Sequence, residues 1–160
     1  MKNIILIFAL SILTSCTSEN LYVKSSNNEQ IIKFTIYPTG TFRESYYFTL
    51  NSNGELVTEK GTRVTDDVTE YPFLETCDES STKELTVAET NTVFQLANEI
   101  YDGNCISADS VAKDSWDVQI FYKGKVVRQN WHEVSLEVKK LMDIFIELSP
   151  IEVDFHDGWA

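Results

Sequence analysis

Basic residues are scarce in this chain, which has 13 Lys and Arg side chains against 25 Asp and Glu, for a formal net charge of −12 at pH 7. Nucleic-acid binding depends on neutralising phosphates with cations, so this balance argues against a nucleic-acid partner. A strongly negative surface also keeps copies of a protein apart in solution and attracts basic molecules over a long range. The partner class that the charge favours is therefore a basic protein or a cation.

Known catalytic signatures are also lacking. The chain has no G-x-S-x-G, H-E-x-x-H or G-x-x-x-x-G-K-[ST] motif, and no G-x-G-x-x-G follows a strand pattern. The two histidines, His132 and His156, do not have the three or four spaced ligands that zinc needs. No carboxylate pair stands out as an acid and base. We therefore expect no metal and no cofactor, and we favour a non-enzymatic protein over a hydrolase.

The chain has no apolar run of the roughly 20 residues that span a bilayer. Its longest apolar run is Ile4 to Leu13, broken only by Ser11, and Lys2 supplies a positive charge before it. The run ends in Leu13-Thr14-Ser15-Cys16, which is an aliphatic residue, two small residues and a cysteine. This arrangement resembles the signal peptide and lipobox of bacterial lipoproteins.

The resemblance implies a lipid anchor. Residues 1–15 would be a cleaved signal peptide, and Cys16 would become the lipidated N-terminus. Two or three acyl chains hold a protein firmly on a membrane, because each buried CH₂ adds about 0.8 kcal/mol. The polar residues that follow predict a flexible tether over residues 16–30. Thr17, in place of an aspartate, favours the outer membrane, with the domain facing the periplasm or the cell surface.

Two further cysteines, Cys77 and Cys105, remain in the mature chain. An exported protein meets an oxidising compartment, so a disulfide between them is one prediction. It would close a loop of about 29 residues and stabilise the fold by about 3–4 kcal/mol. Two free thiols, one of them buried, are the alternative.

Alternating apolar residues predict the strands of the first half: Ile32, Phe34 and Ile36, then Tyr46, Phe48 and Leu50. A turn at Asn51-Ser52-Asn53-Gly54 predicts a hairpin that sets Leu50 opposite Leu56. Residues 65–82 show no such alternation and predict an irregular acidic loop.

Helix signals follow that loop. Thr86 and Glu89 have the spacing of a capping box, and Gly103 predicts the helix end in a left-handed conformation. A second hairpin with its turn at Lys123-Gly124 would set Ile120 opposite Val127. The spacing then predicts a helix from Val134 or Ser135 to Leu148 and a short strand at Ile151, Val153 and Phe155.

This order predicts a single domain over residues 31–160 with an α+β fold. The expected architecture is a two-layer sandwich, in which an antiparallel sheet of two hairpins plus flanking strands carries two helices on one face.

Two surfaces are candidate binding sites. The first is the sheet face away from the helices, where aromatic and hydrogen-bonding groups typical of recognition patches would collect: Tyr37, Tyr47, Gln119, Phe121 and Arg128. The second is the acidic loop: Asp66, Asp67, Glu70, Glu75, Asp78 and Glu79. Ordinary strand composition and a solvated loop remain the alternatives.

The leading hypothesis is a lipid-anchored envelope protein that acts as a non-enzymatic binding module for a protein or a small ligand. A more specific form is an immunity or inhibitor lipoprotein that neutralises a basic toxin or hydrolase. An envelope hydrolase and an assembly factor of the envelope are the other hypotheses. All four rest on size, charge and anchor rather than on a motif.

Overall fold

The computed structural model describes residues 30–41, 44–103 and 115–154. The predicted signal peptide, Cys16, most of the tether, Cys105 and His156 lie outside these ranges. The side chain of His132 is likewise not described.

The described residues form a six-stranded antiparallel sheet and two α-helices, which confirms the predicted α+β architecture. In chain order the elements are β1 (Ile31–Pro38), β2 (Ser45–Asn51), β3 (Glu55–Arg63), β4 (Leu74–Glu84), α1 (Val87–Asp102), β5 (Trp116–Tyr122), β6 (Lys125–Asn130) and α2 (Leu136–Leu148), with one 3₁₀ turn at Trp131–Glu133. The strand order across the sheet is β4-β3-β2-β1-β5-β6, so β1 is central and β4 and β6 are the edges.

The main core lies between one sheet face and the two helices. The apolar residues of β1, β2 and β5 on this face are buried together with Val93 and Ala97 of α1 and Leu141 of α2. At its centre the ring of Phe145 stacks on Phe34 with a centroid distance of 4.9 Å. Both helices therefore lie on the same side of the sheet, as predicted.

Both predicted hairpins have the expected register. Leu50 lies opposite Leu56 across the first turn, and Gly54 has a φ of +97°. Ile120 lies opposite Val127 across the second turn, where Lys123 and Gly124 have φ values of +49° and +76°. Positive φ at both turn residues gives the twist that suits a two-residue hairpin.

The capping box of α1 is also present. Thr86 Oγ1 accepts a hydrogen bond from the Glu89 amide at 3.2 Å, and Glu89 Oε2 accepts one from the Thr86 amide at 2.7 Å. The Thr86 hydroxyl also donates to Glu89 Oε2 at 2.7 Å, and this bond together with the bond from the Thr86 amide lowers the pKa of Glu89. Two donors of the first helical turn are thereby satisfied.

We expect Thr86→Ala to lower the free energy of unfolding by about 1 kcal/mol, because it removes the cap acceptor. Urea denaturation followed by circular dichroism measures the change. Thr92→Ala in the exposed middle of α1 is the matched control and should leave stability unchanged within about 0.5 kcal/mol. Equal losses in both variants would show that the cap does not stabilise the helix.

Three predicted local structures are wrong. Residues 74–82 belong to the edge strand β4 rather than to a loop. Gly103, predicted to be left-handed, ends α1 in an extended conformation with φ −75° and ψ 165°. Its amide donates a hydrogen bond to the Glu99 carbonyl at 3.0 Å, so no left-handed turn is needed. Ile151 and Val153 form no strand. The Tyr46 hydroxyl instead accepts from the Asp154 amide at 3.0 Å and donates to its carbonyl at 3.2 Å.

Candidate functional site

The sheet face away from the helices is partly covered by residues 64–73, here called the strap. Val68 and Phe73 of the strap are buried against Tyr37 and Tyr47 in a second, smaller apolar cluster. The Phe73 ring stacks on Tyr47 with centroids 5.2 Å apart. The expectation of an open face is therefore wrong in its middle, where Tyr37, Tyr47 and Gln119 are 0%, 8% and 2% exposed.

Buried polar groups fix the strap in place. Gln119 Oε1 accepts a hydrogen bond from the Val68 amide at 3.2 Å, and its Nε2 donates to the Asp66 carbonyl and the Tyr37 hydroxyl. Arg63 donates to Asp66 Oδ1 at 2.8 Å, and its guanidinium lies 4.4 Å from the centroid of the Tyr37 ring. Burial raises the pKa of Tyr37 to about 12, so this phenol stays protonated. Gln119 and Tyr37 are thus structural residues beneath the strap.

Phe121 and Arg128 remain half-exposed beyond the strap. Arg128 donates to Asp117 Oδ2 from Nε at 2.9 Å and from Nη2 at 2.6 Å. Burial alone would lower the pKa of Arg128, but the hydrogen bonds to Asp117 and the charge interactions with Tyr37, Asp117 and Asp66 together raise it. Asn130 completes the group by donating to Asp117 Oδ1 at 2.8 Å. The charge of Arg128 is therefore already neutralised within the fold.

The six predicted acidic residues do not form one loop. Asp66, Asp67 and Glu70 lie on the strap, whereas Glu75, Asp78 and Glu79 lie on β4. The Asp67 carboxylate accepts from the Thr69 hydroxyl at 2.7 Å and from its amide at 2.8 Å, and these bonds lower the pKa of Asp67. No group of three or more His, Cys, Asp or Glu side chains in the described ranges is placed to hold a metal ion.

A cleft of about 380 Å³ opens where the strap meets β3 and β4. It combines aromatic rings, carboxyl groups and a thiol, and the residues that line it are Tyr47, Glu59, Tyr71, Pro72, Phe73, Leu74, Glu75 and Cys77. The Tyr71 side chain at its mouth is 70% exposed, whereas Phe73 is 2% exposed. The cleft therefore has an apolar floor and an acidic, solvent-accessible rim.

Glu59 is the central charged group of this cleft. It projects from β3 directly opposite Tyr47 of β2, and the Cys77 thiol lies 4.0 Å from its Oε1. Burial raises the pKa of Glu59, since the surroundings disfavour the charged form. In the described part of the chain, the ion pairs involve other carboxylates, at Asp66, Asp117 and Asp143. Glu59 is thus a partly desolvated carboxyl that takes part in none of these ion pairs.

The cleft suits binding better than nucleophilic catalysis. Burial, together with the negative charges of Glu59 and Asp78, raises the pKa of the Cys77 thiol. A reactive cysteine needs the opposite shift, because the thiolate is the nucleophile. Burial likewise raises the pKa of Tyr47 to about 12. Aromatic rings beside a carboxylate instead attract a cation through ring faces and charge together.

The sequence pattern points to Tyr47 and Glu75 as binding residues and to Cys77 as a disulfide partner, but not to Glu59 and Phe73 as site residues. The signal for Glu59 is its place on the outer face of β3, in the same alternation as Val57 and directly opposite Tyr47 of β2. The pairing of Cys77 with Cys105 stays a prediction, because Cys105 lies outside the described residues.

No helix in the described ranges is long and apolar enough to cross a bilayer. Comparison of the chain with protein-family models, with curated proteins and with solved structures gives no match.

Proposed function

We propose that this chain is a lipid-anchored, non-enzymatic binding module of the cell envelope, and that its cleft receives a basic side chain of a protein partner. The anchor is proposed from the lipobox-like pattern that ends at Cys16 and from the polar residues 16–30. Thr17 after Cys16, in place of an aspartate, supports a location at the outer membrane, with the domain facing the periplasm or the cell surface.

The observation that carries the binding role is the environment of Glu59. A desolvated carboxyl beside aromatic rings is costly to ionise alone, and an incoming cation removes that cost. The exposed ring of Tyr71 offers a face for the same cation, above the apolar floor that Tyr47 and Phe73 form. The formal net charge of −12 then speeds the approach of a basic partner.

An immunity or inhibitor lipoprotein that neutralises a basic toxin or hydrolase is the more specific form of this proposal. The acidic rim of the cleft and the exposed carboxylates of β4, at Glu75, Asp78 and Glu79, support it. Their charges are complementary to a basic protein surface, which favours rapid association and excludes acidic partners.

Arginine amide tests the proposed site directly. We expect N-acetyl-arginine amide to shift the NMR signals of the cleft residues in the full chain, and Glu59→Gln to weaken this binding about fivefold. Glu152→Gln is the matched control, because it removes the same charge at an exposed position that does not line the cleft. Equal binding of the uncharged citrulline amide, or no effect of Glu59→Gln, would contradict the proposal.

The same binding should depend on pH in a defined direction. Burial raises the pKa of Glu59, so this carboxyl becomes neutral at a higher pH than an ordinary glutamate. Arginine amide binding should therefore weaken as the pH falls through that raised pKa, and the Glu59→Gln variant should lose this part of the pH dependence.

An envelope hydrolase is the second candidate function, favoured only by the raised pKa of Glu59, which a general acid also needs. Hydrolysis of a glycan or peptide substrate that disappears in Glu59→Gln, while this variant binds arginine amide as well as the wild-type chain does, would favour this function.

A further inference from the structure

The edge strand β4 has a paired neighbour on one side only. Within the described residues β3 is its sole partner in the sheet. Residues 75–80 are exposed throughout, and β4 contains no proline. Such an edge presents unpaired backbone groups that another extended chain can pair with.

The two halves of β4 differ. The register shifts between Lys60 and Gly61 and again between Thr62 and Arg63, which leaves Asp78 and Glu75 without an opposite residue on β3. Bulges of this kind blunt an edge against pairing. Residues 79–84, by contrast, pair without interruption with residues 55–60. The second half of β4 is therefore the regular part of the edge.

The direction of the free backbone groups follows from one hydrogen bond. The Leu85 amide donates to the Gly54 carbonyl at 2.9 Å, and these residues continue the register in which Glu55 faces Glu84. In an antiparallel pair, hydrogen-bonded and non-hydrogen-bonded residue pairs alternate. Lys83, Ser81 and Glu79 thus turn their backbone groups toward β3. The groups of Ser80, Thr82 and Glu84 point away from the sheet.

Ser80 also lies directly opposite Glu59. Because Ser80 is small and exposed, no bulky side chain stands between Glu59 and the free edge on the outer face of the sheet. Neighbouring strands are about 4.8 Å apart, and a strand added to β4 would lie about 10 Å from β3. A long Arg or Lys side chain spans this gap together with the side chain of Glu59. The edge and the cleft thus form one continuous surface.

We infer that the partner binds as an extended segment that adds to β4 along residues 79–84 and places a basic side chain across Ser80 onto Glu59. This inference rests on the proposed function for the role of Glu59. It adds the backbone mode of recognition and the extended conformation of the partner. Charge complementarity with the exposed Glu79 and Glu84 favours a basic segment over a second copy of this acidic chain.

The probe is an acetylated, amidated hexapeptide of alternating threonine and valine that carries one arginine on its threonine face. Added to the full chain, it should slow hydrogen exchange of the Ser80, Thr82 and Glu84 amides about fivefold or more, as measured by NMR. Free arginine amide should shift the cleft signals without slowing this exchange.

Thr82→Pro tests the backbone contact, because it removes an outward N–H and leaves the bonds to β3 intact. We expect it to weaken hexapeptide binding about tenfold and to leave arginine amide binding unchanged. Thr82→Ala keeps the N–H and should bind both probes normally. If the proline variant does not fold, the amide exchange of the wild-type chain decides.

The possible outcomes separate the two proposals. Two results would overturn the edge pairing: hexapeptide binding that leaves the exchange of the three amides unchanged, or hexapeptide binding by Thr82→Pro that equals that of the wild-type chain. In either case, binding of arginine amide would still support the cleft. Failure of the wild-type chain to bind arginine amide would overturn the proposed function and this inference together.

Discussion

Replacing Phe145 with alanine should lower the free energy of unfolding by about 4 kcal/mol, the largest effect expected of a single side chain in this fold. Phe145 is completely buried on α2 and stacks on Phe34 of the central strand. Its ring centroid also lies 5.5 Å from that of Phe48. The substitution removes the contact of α2 with two adjacent strands and leaves a cavity that rigid strands cannot fill.

Urea denaturation monitored by tryptophan fluorescence measures this loss. Leu136→Ala is the control, because Leu136 lies on the same helix but is 62% exposed. It should cost about 0.5 kcal/mol or less. A loss below about 1 kcal/mol for Phe145→Ala would show that α2 does not depend on this aromatic contact.

Gly61→Ala should destabilise the protein by about 3 kcal/mol and separate part of β4 from the sheet. A Cβ atom at Gly61 would lie 1.8 Å from the carbonyl oxygen and 2.9 Å from the carbonyl carbon of Thr76. Both are backbone atoms, so no side-chain rotation relieves the overlap. Gly61 faces Cys77 at the first register shift, and the substitution should therefore also disturb the cleft.

Denaturation and amide exchange of β4 together check this prediction. Gly124→Ala is the control, since a Cβ there meets no atom within 4 Å and has only the strain of a φ of +76°. It should cost about 1 kcal/mol. A Gly61→Ala variant as stable as Gly124→Ala, with unchanged exchange in β4, would contradict the close approach of the two strands.

The sequence predicts those parts of the fold whose signals are local. Alternation with one buried face identifies β1 and β2, and turn chemistry sets Leu50 opposite Leu56. The capping box likewise locates the start of α1. In each case, residues that are close together in the sequence are sufficient to predict the element.

The edge strand and the strap depend on distant contacts instead. β4 is exposed almost throughout, so no alternation marks it as a strand. The strap is fixed by Gln119, which is 51 residues from Val68 in the chain. The apolar run Tyr71-Pro72-Phe73-Leu74 shows that the strap must be anchored, but not where. The cleft forms where the edge strand and the strap meet. Its residues, including Glu59, therefore cannot be identified from local sequence patterns.

The central place of β1 has a mechanical consequence. The strand begins at Ile31, directly after the proposed tether, and pairs with β2 on one side and β5 on the other. Any pull transmitted through the preceding chain therefore acts on a strand held by two ladders of hydrogen bonds. Tension along β1 must shear both ladders at once rather than peel an edge strand one bond at a time. When a partner tugs on the domain, the proposed tether would therefore pull on an interior strand rather than on an edge strand.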